Sequence, residues 1–328
     1  MTQGMYDVAT VEKWIRNGER LVLAGDESIL NKLPAGNWIG GTIPYFMTQD
    51  GGKFSQEQVY VTRMPADAVN VTAKAYDIST ISQIYTDAPG NGFSIIILPA
   101  FSNIHASFAL NSPAYDGFAT SPLIGWISGI SLDDTNQATP KTYDGHNAGH
   151  EDKAVVFHIE LPPHKAADVQ IINIFQQGEG DTITFPADGF QAEDAFVNGK
   201  KVNFATYITQ NHIDTRLPLV ADMYGVMINT SFLQVNLDEK RVDFYAPVFA
   251  GVDYKIARPV ENYVTDFAAM VPTDLGEAIF FSCNCILNYL YADLEGKPLQ
   301  GITGPMTFGE VAYQLLNQTM AYVVIEDI

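Results

Sequence analysis

Cysteine is almost missing from this chain: two residues in 328, Cys283 and Cys285, one position apart. That scarcity excludes a disulfide framework, which is built from several spaced pairs. Basic side chains are also few. Eighteen Lys and Arg stand against 38 Asp and Glu, a formal charge of −20, and such a surface repels nucleic-acid phosphates and anionic lipid. Long apolar runs are lacking too, none approaching the roughly 18 residues of a membrane helix. The N-terminus, MTQGMYDVATVEKWIRNGERL, has no basic stretch followed by an apolar one, the order of a signal peptide. These absences predict a cytoplasmic protein with neither nucleic-acid partners nor membrane insertion.

What is present is apolar patterning. Hydrophobic residues make up 47% of the chain and charged ones 17%, enough to bury a large core. Val11–Asn17 has a helical pattern stopped by Gly18, and Asp26 is placed to cap a short helix after the strand RLVLAG. EQVYVTRM and NVTAKAYD alternate as half-buried strands, whereas FSIIILPAF and PLIGWISGISL read as strands covered on both faces. Ser102 is placed to cap a helix through Leu110, and Asp133–Lys153 reads as a polar loop. Asn198-Gly199 between apolar residues predicts a hairpin, FGEVAYQLLNQ predicts a helix, and MAYVVIED a closing strand. Strands outnumber helices and come in groups. The expected fold class is therefore α+β, with mixed β-sheets, flanking helices and two cooperating lobes. The expected division is an N-terminal helix over residues 1–19, then regions 20–255 and 256–328.

Chemistry-bearing motifs are sparse. A C-x-C pair supplies two metal ligands where a structural zinc site needs four, and no histidine is near in sequence. Cys283 stands where a strand hands over to a helix, a place that can lower a thiol's pKa, although free cysteine usually packs as a small apolar group. His146 and His150 are four apart, with Asp144, Glu151 and Asp152 nearby. This is a weak metal candidate, because Asn147 and Gly149 disfavour the helix that would align them. Thr307 and Glu310 have capping-box spacing. No G-x-S-x-G elbow, P-loop or G-x-G-x-x-G occurs, so the chain is not expected to be an enzyme. Glycines at strand ends, among them Gly40 and Gly41, let backbone approach a ligand. Trp38, Trp126 and Asn288 are candidates to line its pocket.

The C-terminal region resembles the FIST sensory domain, in a divergent form. Ser282-Cys283, Gly304, Phe308, Gly309-Glu310 and Asn317-Gln318-Thr319 carry the likeness. FSIIILPAF with SPLIGWISGI, PLVADMYG and VFAGVDYKIARPV are similar to the family's other glycine-bearing strands. The resemblance implies a bacterial-type intracellular sensor that binds a small molecule, such as an amino acid or another metabolite, and signals through a separate protein. The expected ligand-binding residues are Trp38, Gly40, Gly41, Trp126, Cys283, Asn288, Phe308 and Glu310, with no catalytic residue, no metal and no resident cofactor. Two alternatives stand beside it. One is a haem-binding gas sensor with His105 or His158 as axial ligand; the other is a thiol- or metal-dependent enzyme using Cys283.

Overall fold

Four consecutive apolar residues, Ile95 to Leu98, are each fully buried in the strand Gly92–Pro99. Each contributes about 1.5–3 kcal/mol by leaving water. This strand is covered on both faces, and its neighbours show why. It pairs in parallel with Leu123–Ser128 and antiparallel with Ala154–Glu160, at the centre of a six-stranded sheet that ends in Glu310–Ala312 and Gln314–Leu316. The computed structural model describes residues 3–134, 138–146, 149–223, 225–272 and 278–328. Among these, 26 strands and six α-helices make an α+β protein of mixed sheets.

Two further sheets complete the larger lobe. One joins Gln3–Asp7, Gln58–Arg63, Leu21–Gly25, Trp38–Thr42 and Thr142–Tyr143. The other runs Lys165–Ile172, Met320–Asp327, Ile279–Cys285, Gly304–Thr307, Tyr45–Thr48 and Gly51–Phe54. A smaller lobe between Ile183 and Ile256 has its own six-stranded and three-stranded sheets. Its separate core is built around Phe185, Phe204, Phe232, Phe244 and Tyr254. A short apolar seam of Phe175, Val220 and Ala257 joins the lobes.

Several sequence expectations are met residue by residue. Asp26 caps Glu27–Leu30 and Ser102 caps Asn103–Asn111, while the first helix, Val8–Arg16, starts earlier than its pattern suggested and is capped by Asp7. Asn198 and Gly199 take φ of 48° and 78°, the left-handed pair that a two-residue hairpin turn requires. Elsewhere the structure differs from what the sequence suggested. The first 19 residues are a strand followed by a helix, and both belong to the larger lobe. The boundary at residues 255/256 falls inside the strand Tyr254–Ile256, and the strands Ile279–Cys285 and Met320–Asp327 pair within a sheet that also holds Lys165–Ile172 and Tyr45–Thr48. The predicted helix over FGEVAYQLLNQ is a tight hairpin, Glu310–Ala312 against Gln314–Leu316, turning at Tyr313 with φ 62°. Glu310 there pairs across the ladder with Trp126. Thr307 forms no capping box: its hydroxyl lies within hydrogen-bonding distance of the carbonyls of Asn284 and Gly309.

Candidate functional site

The strand Ile279–Cys285 is buried along its whole length and passes directly into the helix Ile286–Tyr291. The Cys283 thiol donates to the Gly125 carbonyl at 3.1 Å, so it is spent on the neighbouring sheet. Burial, reinforced by the Glu310 carboxyl, pushes both thiols well above their ordinary range. These are packed thiols, not poised thiolates.

Glu310 is fully buried. Its Oε2 accepts from the Thr319 amide at 3.2 Å and from the Thr319 hydroxyl at 2.8 Å, while Oε1 has no hydrogen-bond partner. Loss of water pushes its carboxyl up to about 8, the two Thr319 bonds and the Cys285 thiol only partly opposing that rise. At neutral pH the acid is therefore mostly protonated.

Thr319 ends a three-residue turn, Asn317-Gln318-Thr319, on which several elements converge. The Thr319 carbonyl accepts from the Cys285 amide at 3.2 Å and from Asn288 Nδ2 at 3.4 Å. Gln318, with φ 49° and only 2% exposed, reaches into the smaller lobe. Its Oε1 accepts from the Ser231 hydroxyl at 2.8 Å, and its Nε2 donates to the Arg216 carbonyl at 3.0 Å. Asn229 and Asn173 exchange side-chain hydrogen bonds at 3.0 Å, and Asn229 Nδ2 also reaches the Asn317 carbonyl at 3.1 Å. A buried polar network of this kind fixes one relative placement of two packed bodies.

Beside this turn lies a cleft of about 950 Å³ with walls from both lobes. The smaller lobe supplies Asp214, Arg216 and Leu217. The larger supplies Asn288, Tyr291, Lys297 and Gln318, and the segment from Pro259 to Thr265 closes one side. That size and mixed lining suit a small molecule. Asn288, 2% exposed, is the innermost polar residue with an unmet need. Its Nδ2 also donates to Asn284 Oδ1 at 2.9 Å. Two oxygens therefore hold the amide nitrogen. The Asn288 Oδ1 is left buried with no partner, a state that costs about 1–3 kcal/mol.

The expected site residues separate into groups. Trp126, Cys283 and Glu310 cluster on adjoining strands of the larger lobe, and Asn288 borders the cleft beside them. Phe308 instead lines a second groove of about 590 Å³ with Phe101 and Leu233. Trp38 packs in the core under the first helix, its indole donating to the Pro34 carbonyl. Gly40 and Gly41 do permit a close approach, but to the protein itself: a Cβ on Gly41 would sit 2.6 Å from Ile97 Cγ2. His150 Nε2 lies 3.1 Å from Asp144 Oδ2, and residues 147–148 between it and His146 lie outside the described residues. Among the described residues, no group of three or more His, Cys, Asp or Glu is placed to hold a metal. His158 is engaged at both nitrogens, by Tyr76 at 2.8 Å and Ser94 at 2.7 Å, whereas His105 is enclosed with Nε2 unpaired. Sequence reasoning missed Tyr291, one helical turn from Asn288, and Arg216 and Tyr263, which only the fold brings to it.

Fold and site together define a two-lobed α+β protein with an interlobe cleft over a buried polar turn. The chain matches a family of unknown function, DUF6976, over residues 6–326, and it belongs to that family. No curated protein matches it.

Proposed function

We propose that the protein is a non-catalytic small-molecule-binding protein of sensory type. Its ligand seats in the interlobe cleft, and occupancy is relayed to a separate protein. One observation carries this reading: the cleft is shared by both lobes, and the wall next to their connecting turn holds Asn288, whose amide oxygen is buried without a donor. Seating a ligand donor there acts on the Asn288 contact to Thr319, the chain neighbour of Gln318, whose side chain bonds Ser231 and Arg216 of the smaller lobe. The likeness of the C-terminal segment to FIST sensory domains supports the same reading. A thiol-enzyme role finds no support in the geometry, since Cys283 is 1% exposed and its thiol is raised.

The test is thermal denaturation with panels of monosaccharides, amino acids and organic acids, on the wild type and on Tyr291→Ala. A ligand at 100 times its Kd adds about 2.7 kcal/mol. A cleft ligand raises Tm in the wild type and much less in Tyr291→Ala. If no panel shifts the wild type, or every shift persists in the variant, the reading fails.

A further inference from the structure

The cleft also indicates what kind of molecule it takes, an inference that rests on the binding role proposed above. Four charged side chains border it: Asp214, Arg216, Glu261 and Lys297. Arg216 is already matched, its Nε donating to Asp214 Oδ1 at 2.9 Å and its Nη2 to Asp214 Oδ2 at 2.6 Å. Lys297 Nζ is held by Asp293 Oδ2 at 3.2 Å and by the Ala292 carbonyl at 3.4 Å. Glu261 is exposed at the rim and repels an anion. An anionic ligand would have to compete with protein carboxylates for both cations, within a chain whose formal charge is −20. The paired groups ask for no compensating charge.

The uncharged features are the ones left unsatisfied. Asn288, which borders the cleft, keeps its Oδ1 buried without a hydrogen-bond donor while its Nδ2 donates to Asn284 and Thr319. Tyr291 is 41% exposed and borders the cleft. Tyr263 offers a less open face because its ring stacks on Phe267 at 5.7 Å. Phe175, Leu217, Pro259 and Val260 supply apolar wall. A molecule with hydroxyl donors on one side and a C–H face on the other meets both demands. We infer that the cleft selects an uncharged, hydroxyl-rich ligand, a sugar or polyol, whose hydroxyl donates to Asn288 and whose C–H face lies on Tyr291.

The experiment is calorimetric titration of the full chain with glucose, ribose and myo-inositol, beside glutamate, lactate and choline, in 50 and 500 mM NaCl. The variants are Asn288→Leu and Tyr291→Ala, each checked for a native circular-dichroism spectrum. The expected result is a neutral probe whose Kd changes less than about twofold between the two salts, because no ion pair is screened. Its affinity falls at least tenfold in Asn288→Leu, the order expected for a lost buried hydrogen bond, and also falls in Tyr291→Ala. If Asn288→Leu does not fold, Tyr291→Ala on the exposed rim decides alone. Binding of a charged probe but no neutral one, lost on these substitutions, overturns the ligand class and leaves the cleft standing as the site. Absence of binding by all six, or binding indifferent to both substitutions, overturns the class and the binding role together.

Discussion

Replacing Glu310 by Gln isolates the most perturbed acid of the site and carries a definite sign. Burial raises its carboxyl from 4.5 to about 8 in the folded protein. Between those values the folded chain keeps a proton that the unfolded chain has released. This stabilising contribution is thus fully present below pH 4.5 and is lost as pH rises toward 8. Each unit of separation is worth about 1.4 kcal/mol. Integrated from pH 5 to pH 8, the wild type loses about 3–4 kcal/mol through this group, a large share of a stability of about 5–15 kcal/mol. His105 and His158, pushed down to about 4 by burial, act in the opposite direction. Held neutral in the fold, they add stability as pH rises through 4 to 6.5, and they do so equally in both proteins. The assay is urea unfolding of wild type and Glu310→Gln at pH 5, 6, 7 and 8, read as the difference between the two profiles. Gln keeps an oxygen for the Thr319 donors and does not titrate. The variant should gain on the wild type steadily across that range, by about 3–4 kcal/mol in all. Parallel profiles would show that Glu310 does not hold a proton in the fold, and the account of the site as a neutral buried network would be wrong.

Two further outcomes follow from the same geometry. Iodoacetamide at pH 7.5 should leave Cys283 and Cys285 unmodified in the native protein and label both in urea, since each is 1% exposed and raised by burial; native labelling of Cys283 by mass spectrometry within minutes would revive the thiolate. Gln318→Ala removes the bonds to Ser231 and Arg216. It should cost about 1–3 kcal/mol and raise hydrogen exchange along Leu219–Met223, the strand next to Arg216, and unchanged exchange there would show that the turn does not tie the lobes.

Much of the fold was legible because its signals are local. Caps at Asp26 and Ser102, the Asn198-Gly199 turn and the fully apolar run at Ile95 each follow from side chains acting within a few residues. The error at FGEVAYQLLNQ shows where local reading ends. Val311, Leu315 and Leu316 fit an apolar helix face as well as they fit two short strands, and the free edge of Leu123–Ser128 decides between them. Glycine was ambiguous in the same way. Gly41 and Gly125 do mark close approaches, but to Ile97 and to the Ile96 carbonyl, since a missing side chain signals proximity without saying to what. Asn288 and the Asn317-Gln318-Thr319 motif were visible as polar residues in apolar surroundings. Arg216 and Tyr263 carried no such contrast and reach the cleft only through tertiary packing.

The placement of the unmet hydrogen-bonding groups gives the site its coherence. Asn288 Oδ1 and Asn317 Oδ1 are buried without partners, while Asn284 stands beside the Tyr263 hydroxyl and Glu310 beside the Cys285 thiol. Asn284 and Asn288 bond to each other, Asn288 and Glu310 both bond to Thr319, and Asn317 lies two residues before it. Unmet groups of this kind are more than a core needs for stability, because each costs about 1–3 kcal/mol and apolar replacements would cost less. They are tolerable where something else recovers the loss, and of these residues Asn288 borders the cleft. Gln318 connects that recovery to the smaller lobe, so a ligand satisfying Asn288 also bears on the contact that sets the lobes' spacing.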